Sequence, residues 1–126
     1  MDSQVEIIKL VKETNSHASL ASSDSDYPYS ICCSAEGLSN SCTSSDSEVI
    51  ARLAREQNSH ISQSSFENYT IPICLSSDDS EVSCEYKSSC SQDEACLFSM
   101  STPSNSHIAK CGFYPIQVCC SLDWIY

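Results

Sequence analysis

One short pattern occurs three times in the chain, and this repetition constrains the fold more than any other feature. The tripeptide Asn-Ser-His lies at 15–17, 58–60 and 105–107, and its copies contain every histidine of the protein. The copies begin 43 and 47 residues apart, which is a period typical of repeat proteins. Each is preceded by Ser-x-x-Glu and followed by Tyr-x4-Cys-x-Ser. We therefore predict a single repeat domain, 1–126, with approximate units 1–43, 44–90 and 91–126.

The Ser-x-x-Glu motif predicts the start of a helix, because serine and glutamate at this spacing can form a capping box. Apolar residues at helical spacing follow the motif in the first two units, whereas Pro103 shortens the third helix. The segment after each tripeptide is rich in Tyr, Ile, Val and Cys, which favours a β-hairpin. We therefore expect an α+β fold, a disulfide-stapled array of three helix plus β-hairpin repeats. The three motifs are Ser3/Glu6, Ser45/Glu48 and Ser91/Glu94.

The Asn-Ser-His tripeptide is predicted to join each helix to its hairpin. Asparagine tolerates the left-handed conformation that ends helices, and a histidine there would lie near the negative helix end. Zinc sites usually contain closely spaced Cys-x2–4-Cys pairs, which the sequence lacks. We therefore expect a structural role for His17, His60 and His107, with metal binding as a less favoured alternative. No metal ligand and no cofactor is assigned.

The ten cysteines predict a disulfide scaffold and an oxidising compartment, outside the cell or at its surface. Spacing within the repeats makes Cys32–Cys42 and Cys74–Cys84 reasonable pairs, and Cys96–Cys111 would join the third helix to its hairpin. Sequence alone leaves the connectivity open. The equivalent partner of Cys119 would lie past residue 126, so we expect an irregular internal pairing or a link to another molecule. The ten residues are Cys32, Cys33, Cys42, Cys74, Cys84, Cys90, Cys96, Cys111, Cys119 and Cys120.

Charge and hydropathy exclude two kinds of partner. The net charge is −11 and only six residues are Lys or Arg, which argues against nucleic-acid binding. No apolar stretch approaches 18 residues, so no membrane span is expected. The first residues, Met1 to Glu6, lack the basic and apolar regions of a signal peptide. A secreted chain with this start is expected to be a processed form or a segment of a longer protein.

No enzyme and no catalytic residue is predicted. The only glycines are Gly37 and Gly112, and the Gly-x-Ser-x-Gly motif of serine hydrolases is absent. The acidic loops offer weak calcium candidates, because calcium prefers oxygen ligands. Asn68-Tyr69-Thr70 is a sequon, so Asn68 is a candidate for glycosylation. The calcium candidates are Asp24, Asp26, Asp78, Asp79 and Glu81.

The third unit resembles a known class of repeat. Its pattern is Cys90-x5-Cys96, then 105–108 (Asn-Ser-His-Ile), then Tyr114-Pro-x3-Cys-Cys. This pattern resembles the Cys-rich tandem repeats of uncharacterised archaeal surface or secreted proteins. The resemblance covers all three units and is sharpest over residues 84–120. It implies an extracellular setting and tandem arrays, and it brings no known catalytic residues.

The predicted function is structural. Repeat units bury their faces against neighbours, and neither end of this chain has a polar capping unit. We therefore expect an extracellular subunit that self-assembles head to tail into a surface filament or fibril. The alternatives are a monomeric secreted adhesion or ligand-binding module, a calcium-binding surface module, and a reduced intracellular metal protein. The predicted assembly residues are Leu122, Trp124, Ile125 and Tyr126.

Overall fold

Three antiparallel β-sheets make up the computed structural model, which describes residues 3–23, 26–35, 37–42, 47–78 and 80–124. The described residues form eleven strands and no helix. Among them, therefore, no helix is long and apolar enough to cross a membrane. The predicted α+β fold is wrong, because β-strands occupy the places that we assigned to helices.

Each sequence repeat supplies a long strand, a short strand and a return strand. The first sheet contains β1 (Ser3–Leu10), β2 (Ala18–Leu20) and β3 (Tyr29–Ala35), in the order β2-β1-β3. The second contains β4 (Leu38–Ser39), β5 (Glu48–Leu53), β6 (Ile61–Ser62) and β7 (Ile71–Ser77), in the order β4-β7-β5-β6. The third contains β8 (Ser80–Lys87), β9 (Ala95–Met100), β10 (Ile108–Ala109) and β11 (Ile116–Trp124), in the order β10-β9-β11-β8. The strands β4 and β8 each follow one return strand and pair with the next one.

A β-bulge in each long strand explains the mistaken helix prediction. In β1 the register with β3 skips Ile7, because Glu6 lies opposite Cys32 and Ile8 lies opposite Ile31. The bulge leaves two consecutive side chains, Ile7 and Ile8, in the interior, with 2% and 0% exposure. The bulge interrupts the alternation of buried and exposed side chains along the strand. Buried residues then lie three positions apart, as they do in a helix. The same irregularity occurs at the equivalent positions of β5 and β9.

The glutamates of the Ser-x-x-Glu motifs bind other partners than a helix N-terminus. Glu6 accepts a hydrogen bond from the Ser30 hydroxyl on the neighbouring strand β3. Glu48 accepts one from the backbone N–H of Cys84 at 2.9 Å and so connects β5 to β8. Glu94 accepts one from the backbone N–H of its own motif residue, Ser91, at 2.8 Å, but within a turn between strands.

Backbone hydrogen bonds close the three units into a ring. Each tripeptide serine exchanges two N–H···O bonds of 2.8–2.9 Å with the first residue of a short strand in another unit. These bonds run from the first unit to the second, from the second to the third, and from the third back to the first. The units therefore surround a pseudo-threefold axis. The pairs are Ala18–Ser59, Ile61–Ser106 and Ile108–Ser16.

Four disulfides join strands and loops of the sheets. The pair Cys96–Cys111 is present as predicted, whereas the predicted pairs Cys32–Cys42 and Cys74–Cys84 are wrong. The return strands bond instead to the segments that precede their own units in the chain. Such bridges typically stabilise a small protein by about 2–4 kcal/mol each. The other three pairs are Cys42–Cys74, Cys84–Cys120 and Cys90–Cys119, and Cys32 and Cys33 are free thiols.

Candidate metal centre

The three asparagines of the tripeptides have the same unusual backbone conformation. Asn15, Asn58 and Asn105 have φ values of 51°, 51° and 50°, in the left-handed region. Asparagine is among the few residues with a side chain that enter this region readily. The prediction of a left-handed asparagine is confirmed, although a strand rather than a helix precedes it. This conformation turns the chain from the long strand toward the ring of short strands.

The buried hydroxyl of the tripeptide serine holds the loop between the long strand and the histidine through hydrogen bonds. The hydroxyl of Ser59, which is 2% exposed, accepts hydrogen bonds from the backbone N–H groups of Ala54 and Arg55 at 2.9 and 3.2 Å. The same hydroxyl donates to the carbonyl oxygen of His60 at 2.7 Å. Ser16 and Ser106 make the equivalent three bonds in their own units. The backbone position of each histidine is therefore set by a buried hydrogen-bonded serine.

The three histidines meet because the ring brings the three tripeptides together. The ring centroids of His17 and His60 are 4.7 Å apart, those of His60 and His107 are 4.9 Å apart, and those of His17 and His107 are 5.2 Å apart. One nitrogen from each ring lies within 4.8 Å of the other two. The Nε2 atoms of His17 and His60 are 3.2 Å apart. All three side chains are half-buried, so the cluster remains open to solvent on one side.

Asparagine side chains, held in turn by tyrosine hydroxyls, orient the rings of His17 and His60. The side-chain oxygen of Asn58 accepts a hydrogen bond from Nδ1 of His17 at 2.8 Å and another from the Tyr27 hydroxyl at 3.2 Å. An amide oxygen only accepts hydrogen bonds, so this bond requires the His17 tautomer with its proton on Nδ1. Nε2 of His17 then accepts a hydrogen bond from Nε2–H of His60 at 3.2 Å, and its lone pair is the one that a metal ion would take. The tyrosine bond recurs in the other units. Its copies are Tyr69 to Asn105 at 2.8 Å and Tyr114 to Asn15 at 2.9 Å.

The cluster also favours the neutral form of His60. Burial lowers the pKa of His60, and the neighbouring His17 and His107 rings lower it further by charge repulsion. A hydrogen bond with Asn105 opposes this decrease in the pKa but does not reverse it. Neutral imidazole is the form that coordinates a metal, so His60 is ready to act as a ligand at neutral pH.

The spacing fits a first-row transition metal. Zinc–nitrogen bonds of about 2.0–2.1 Å in a tetrahedral site place two ligand nitrogens about 3.3 Å apart. The 3.2 Å between Nε2 of His17 and Nε2 of His60 agrees with this spacing. Each ligand of a metal site normally donates its other ring N–H to an oxygen, and Asn58 supplies that oxygen for His17. Three protein nitrogens would leave a fourth position for water or another ligand.

The other predicted site residues lie away from this cluster. Asp26, Asp78 and Glu81 are exposed, and no group of three metal ligands among the described residues contains any of them. Asp24 and Asp79 lie outside the described residues. Cys90, Glu94 and Cys119 also lie close together, but a disulfide joins the two sulfurs. Glycosylation of Asn68, which is exposed in a loop, stays a prediction.

Two of the four predicted assembly residues, Leu122 and Trp124, belong to β11 of the third sheet. Leu122 lies opposite Val82 and packs against the core, and Trp124 lies opposite Ser80. Ile125 and Tyr126 are outside the described residues. Head-to-tail assembly therefore stays a prediction, and Leu122 already has a partner within its own chain.

Sequence reasoning assigned no metal ligand, although it found the three histidines as equivalent residues. The sequence does not show that the repeats close into a ring. Once they do, equivalent residues near the threefold axis must lie close to one another. The repeated tyrosine was a further signal, since its hydroxyl reaches the asparagine of the next unit.

In comparisons with known proteins, no family model, no curated protein and no solved structure matches the chain. Support for a function therefore comes from the geometry of the site.

Proposed function

We propose that this protein binds one divalent transition-metal ion through His17, His60 and His107. The observation that carries the proposal is the convergence of one imidazole from each unit on the pseudo-threefold axis, with two Nε2 atoms 3.2 Å apart. A structural role would require only that each ring be hydrogen-bonded. It would give no reason for one imidazole from each of the three units to converge on the same point.

The ligand chemistry indicates the class of metal. Imidazole nitrogen suits zinc, copper and nickel, whereas calcium and magnesium prefer carboxylate and carbonyl oxygen. We expect Zn²⁺ to bind, because the Nε2 atoms of His17 and His60 already have the separation found in tetrahedral sites and one nitrogen of His107 lies within 4.8 Å of a nitrogen of each. Three protein ligands would leave a fourth coordination position for water or an exogenous ligand.

The disulfides support an extracellular setting for this function. Four disulfides and the absence of a membrane-spanning helix among the described residues fit a secreted or extracellular protein. Disulfides consume eight of the ten cysteine thiols, which leaves histidine as the main strong ligand for a transition metal. The proposed site uses histidine alone.

Metal titration of the disulfide-intact protein tests the proposal. Isothermal calorimetry with Zn²⁺ should show one ion per chain, and free Zn²⁺ at a hundred times its Kd should stabilise the fold by about 2.7 kcal/mol. For a domain of this size, that increase in stability raises Tm by about 10 °C. The variant His60→Ala should lose both effects. Ca²⁺ should produce neither of them.

A matched control separates the site from the acidic surface. Glu81→Gln removes an exposed carboxylate in β8, and it should leave the zinc stoichiometry and the Tm increase unchanged. If His60→Ala still binds one Zn²⁺ with the parent affinity, or if Glu81→Gln abolishes binding, the histidine cluster is not the metal site.

A further inference from the structure

Among the residues that the structure describes, the first sheet has no counterpart of a strand that the other two sheets have. In the third sheet β11 lies between β9 and β8, and in the second sheet β7 lies between β5 and β4. Among the described residues, the equivalent return strand β3 pairs only with β1. One edge of β3 therefore presents backbone N–H and C=O groups that the pseudo-threefold arrangement covers elsewhere.

The cysteines of β3 are more exposed than the equivalent cysteines of β11, as expected for a strand without a neighbour on one edge. Register aligns Cys32 and Cys33 with Cys119 and Cys120, because these pairs face equivalent residues of β1 and β9. Cys119 and Cys120 are only 0% and 7% exposed. Cys32, in contrast, is exposed and Cys33 is half-buried. The strand β8, which pairs with β11 and covers its cysteines, accounts for this difference in exposure.

The disulfides also distinguish the first sheet from the other two. In the second and third sheets the covering segment is bonded to the return strand, through Cys42–Cys74, Cys84–Cys120 and Cys90–Cys119. The Cys84–Cys120 bridge joins residues directly opposite each other in the β8–β11 register. Among the described residues, the free thiols are the two on β3, whose equivalents in β11 are bonded to the covering segment.

A cleft occupies the place of the missing strand. It has a volume of about 550 Å³ and lies along β3, between this strand and the third sheet. Cys33 and Ala35 line one wall, and Leu97 of β9 and Leu122 of β11 line the other. In the third sheet β8 takes the equivalent position, between β11 and the second sheet. Its Val82 is buried there, and the hydroxyl of its Tyr86 donates to the carbonyl oxygen of Ile50 at 2.8 Å.

We propose that β3 binds an extended, cysteine-bearing segment similar to β8, which another polypeptide chain supplies as a fourth antiparallel strand and bonds to Cys33. Exposed edge strands commonly recognise peptides by such strand addition, with main-chain hydrogen bonds giving affinity and alternate side chains giving specificity. The apolar residues of the segment fill the cleft as Val82 and Tyr86 of β8 fill theirs. This interaction is independent of the histidine cluster.

The disulfide forms by a balanced oxidation. Cys33 and the cysteine of the segment each lose a proton and together lose two electrons to a small-molecule disulfide, which is reduced to two thiols. Burial and the neighbouring Cys32 raise the pKa of the Cys33 thiol, so exchange is slow near neutral pH and accelerates in mildly alkaline buffer.

A peptide with the sequence of β8, residues 80–87, is the probe. It carries its cysteine as a 2-pyridyl disulfide, so attack by the Cys33 thiolate releases pyridine-2-thione, which is measured by absorbance. The control peptide exchanges Val82 with Glu81 and Tyr86 with Glu85, which keeps the composition but directs acidic side chains into the cleft. Strand pairing raises the effective concentration of the two sulfurs, so we expect the β8 peptide to react roughly tenfold faster than the control.

Two variants locate the reaction. Cys32→Ser should keep the fast reaction and Cys33→Ser should lose it, while both melt at the parent temperature and bind Zn²⁺ as the parent does. Equal rates for the two peptides, or an adduct on Cys32 alone, would overturn the proposal. A purified protein that is already a Cys33–Cys33 dimer and does not react with the peptide would also overturn it, because the occupant would then be a second copy.

Discussion

The tripeptide serine gives the most direct test of how the loops that carry the histidines are held. Ser59→Ala removes one hydroxyl that makes three hydrogen bonds at 2.7–3.2 Å. Leaving a buried polar group without a partner costs about 1–3 kcal/mol. Ala54 and Arg55 are exposed, so water can replace part of the loss at their N–H groups. We therefore expect a total loss of stability of about 2 kcal/mol.

This loss is measured on disulfide-intact, metal-free protein. At about 4 °C per kcal/mol for a domain of this size, Tm should fall by about 8 °C. Urea titration followed by circular dichroism should show a lower midpoint with an unchanged slope. Because the three serines make equivalent bonds, Ser16→Ala and Ser106→Ala should each cost about as much as Ser59→Ala.

An exposed serine provides the matched control. Ser89 lies in an exposed position after β8, so Ser89→Ala should change stability by less than about 0.5 kcal/mol. The reasoning fails if Ser59→Ala is as mild as Ser89→Ala. It also fails if only one of the three tripeptide serines matters, because the ring would then not be held by equivalent bonds.

Three further predictions follow from the left-handed asparagine, the ion pair of the third sheet and the disulfides. Asn58→Gly and Asn58→Ala both remove the amide, but only alanine is strained at φ 51°, so the alanine variant should be less stable by about 1 kcal/mol in urea titration. A hydrogen bond from Lys87 lowers the pKa of Glu94, so the pair stabilises the fold above the ordinary glutamate pKa of about 4.3. Glu94→Gln should therefore be less stable than the parent at pH 7, and the difference should vanish as acid protonates Glu94 in the parent; a difference that persists at pH 2 would contradict this reasoning. In intact-mass measurements, four disulfides should take up eight hydrogens on reduction, whereas ten cysteines fully bridged would take up ten.

Comparison of the three tripeptides in the sequence identified their residues as equivalent, and the structure gives them equivalent backbone angles and bonds. The unit boundaries stay a prediction. The sequence also predicted the left-handed asparagines, because few other residues tolerate that conformation. These features depend on local chemistry and on comparison of one unit with another. Both can be read without knowing which segments pair.

The strands at β1, β5 and β9 were mistaken for helices for a physical reason. A bulge at Ile7, and at its equivalents Ile50 and Leu97, breaks the alternation of a half-buried strand. The capping glutamates reinforced the error, although Glu48 serves as an acceptor for a backbone N–H of β8. Local pattern does not distinguish a bulged strand from a helix, because the partner strand decides which residues are buried.

The disulfide pairing was missed for a related reason. The predicted pairs assumed that each unit is closed on itself, so that Cys32 would pair with Cys42. The structure instead places β4 and β8 on the sheets of the following units, and Cys42 bonds to Cys74. The pairing of a strand with the sheet of the following unit depends on how the units are arranged. The sequence of one unit alone does not reveal it.

The ring of backbone bonds between the tripeptides and the short strands explains why the histidine cluster requires all three units. One unit provides a single imidazole, and the amide that orients His17 belongs to Asn58 of the next unit. The tyrosine that also donates to that amide, Tyr27, comes from the unit of the histidine. A separate unit would therefore have one ligand without its orienting partner. Metal binding and the docking of the units are thus coupled, so a change that opens the ring should weaken the metal site even when no ligand is altered.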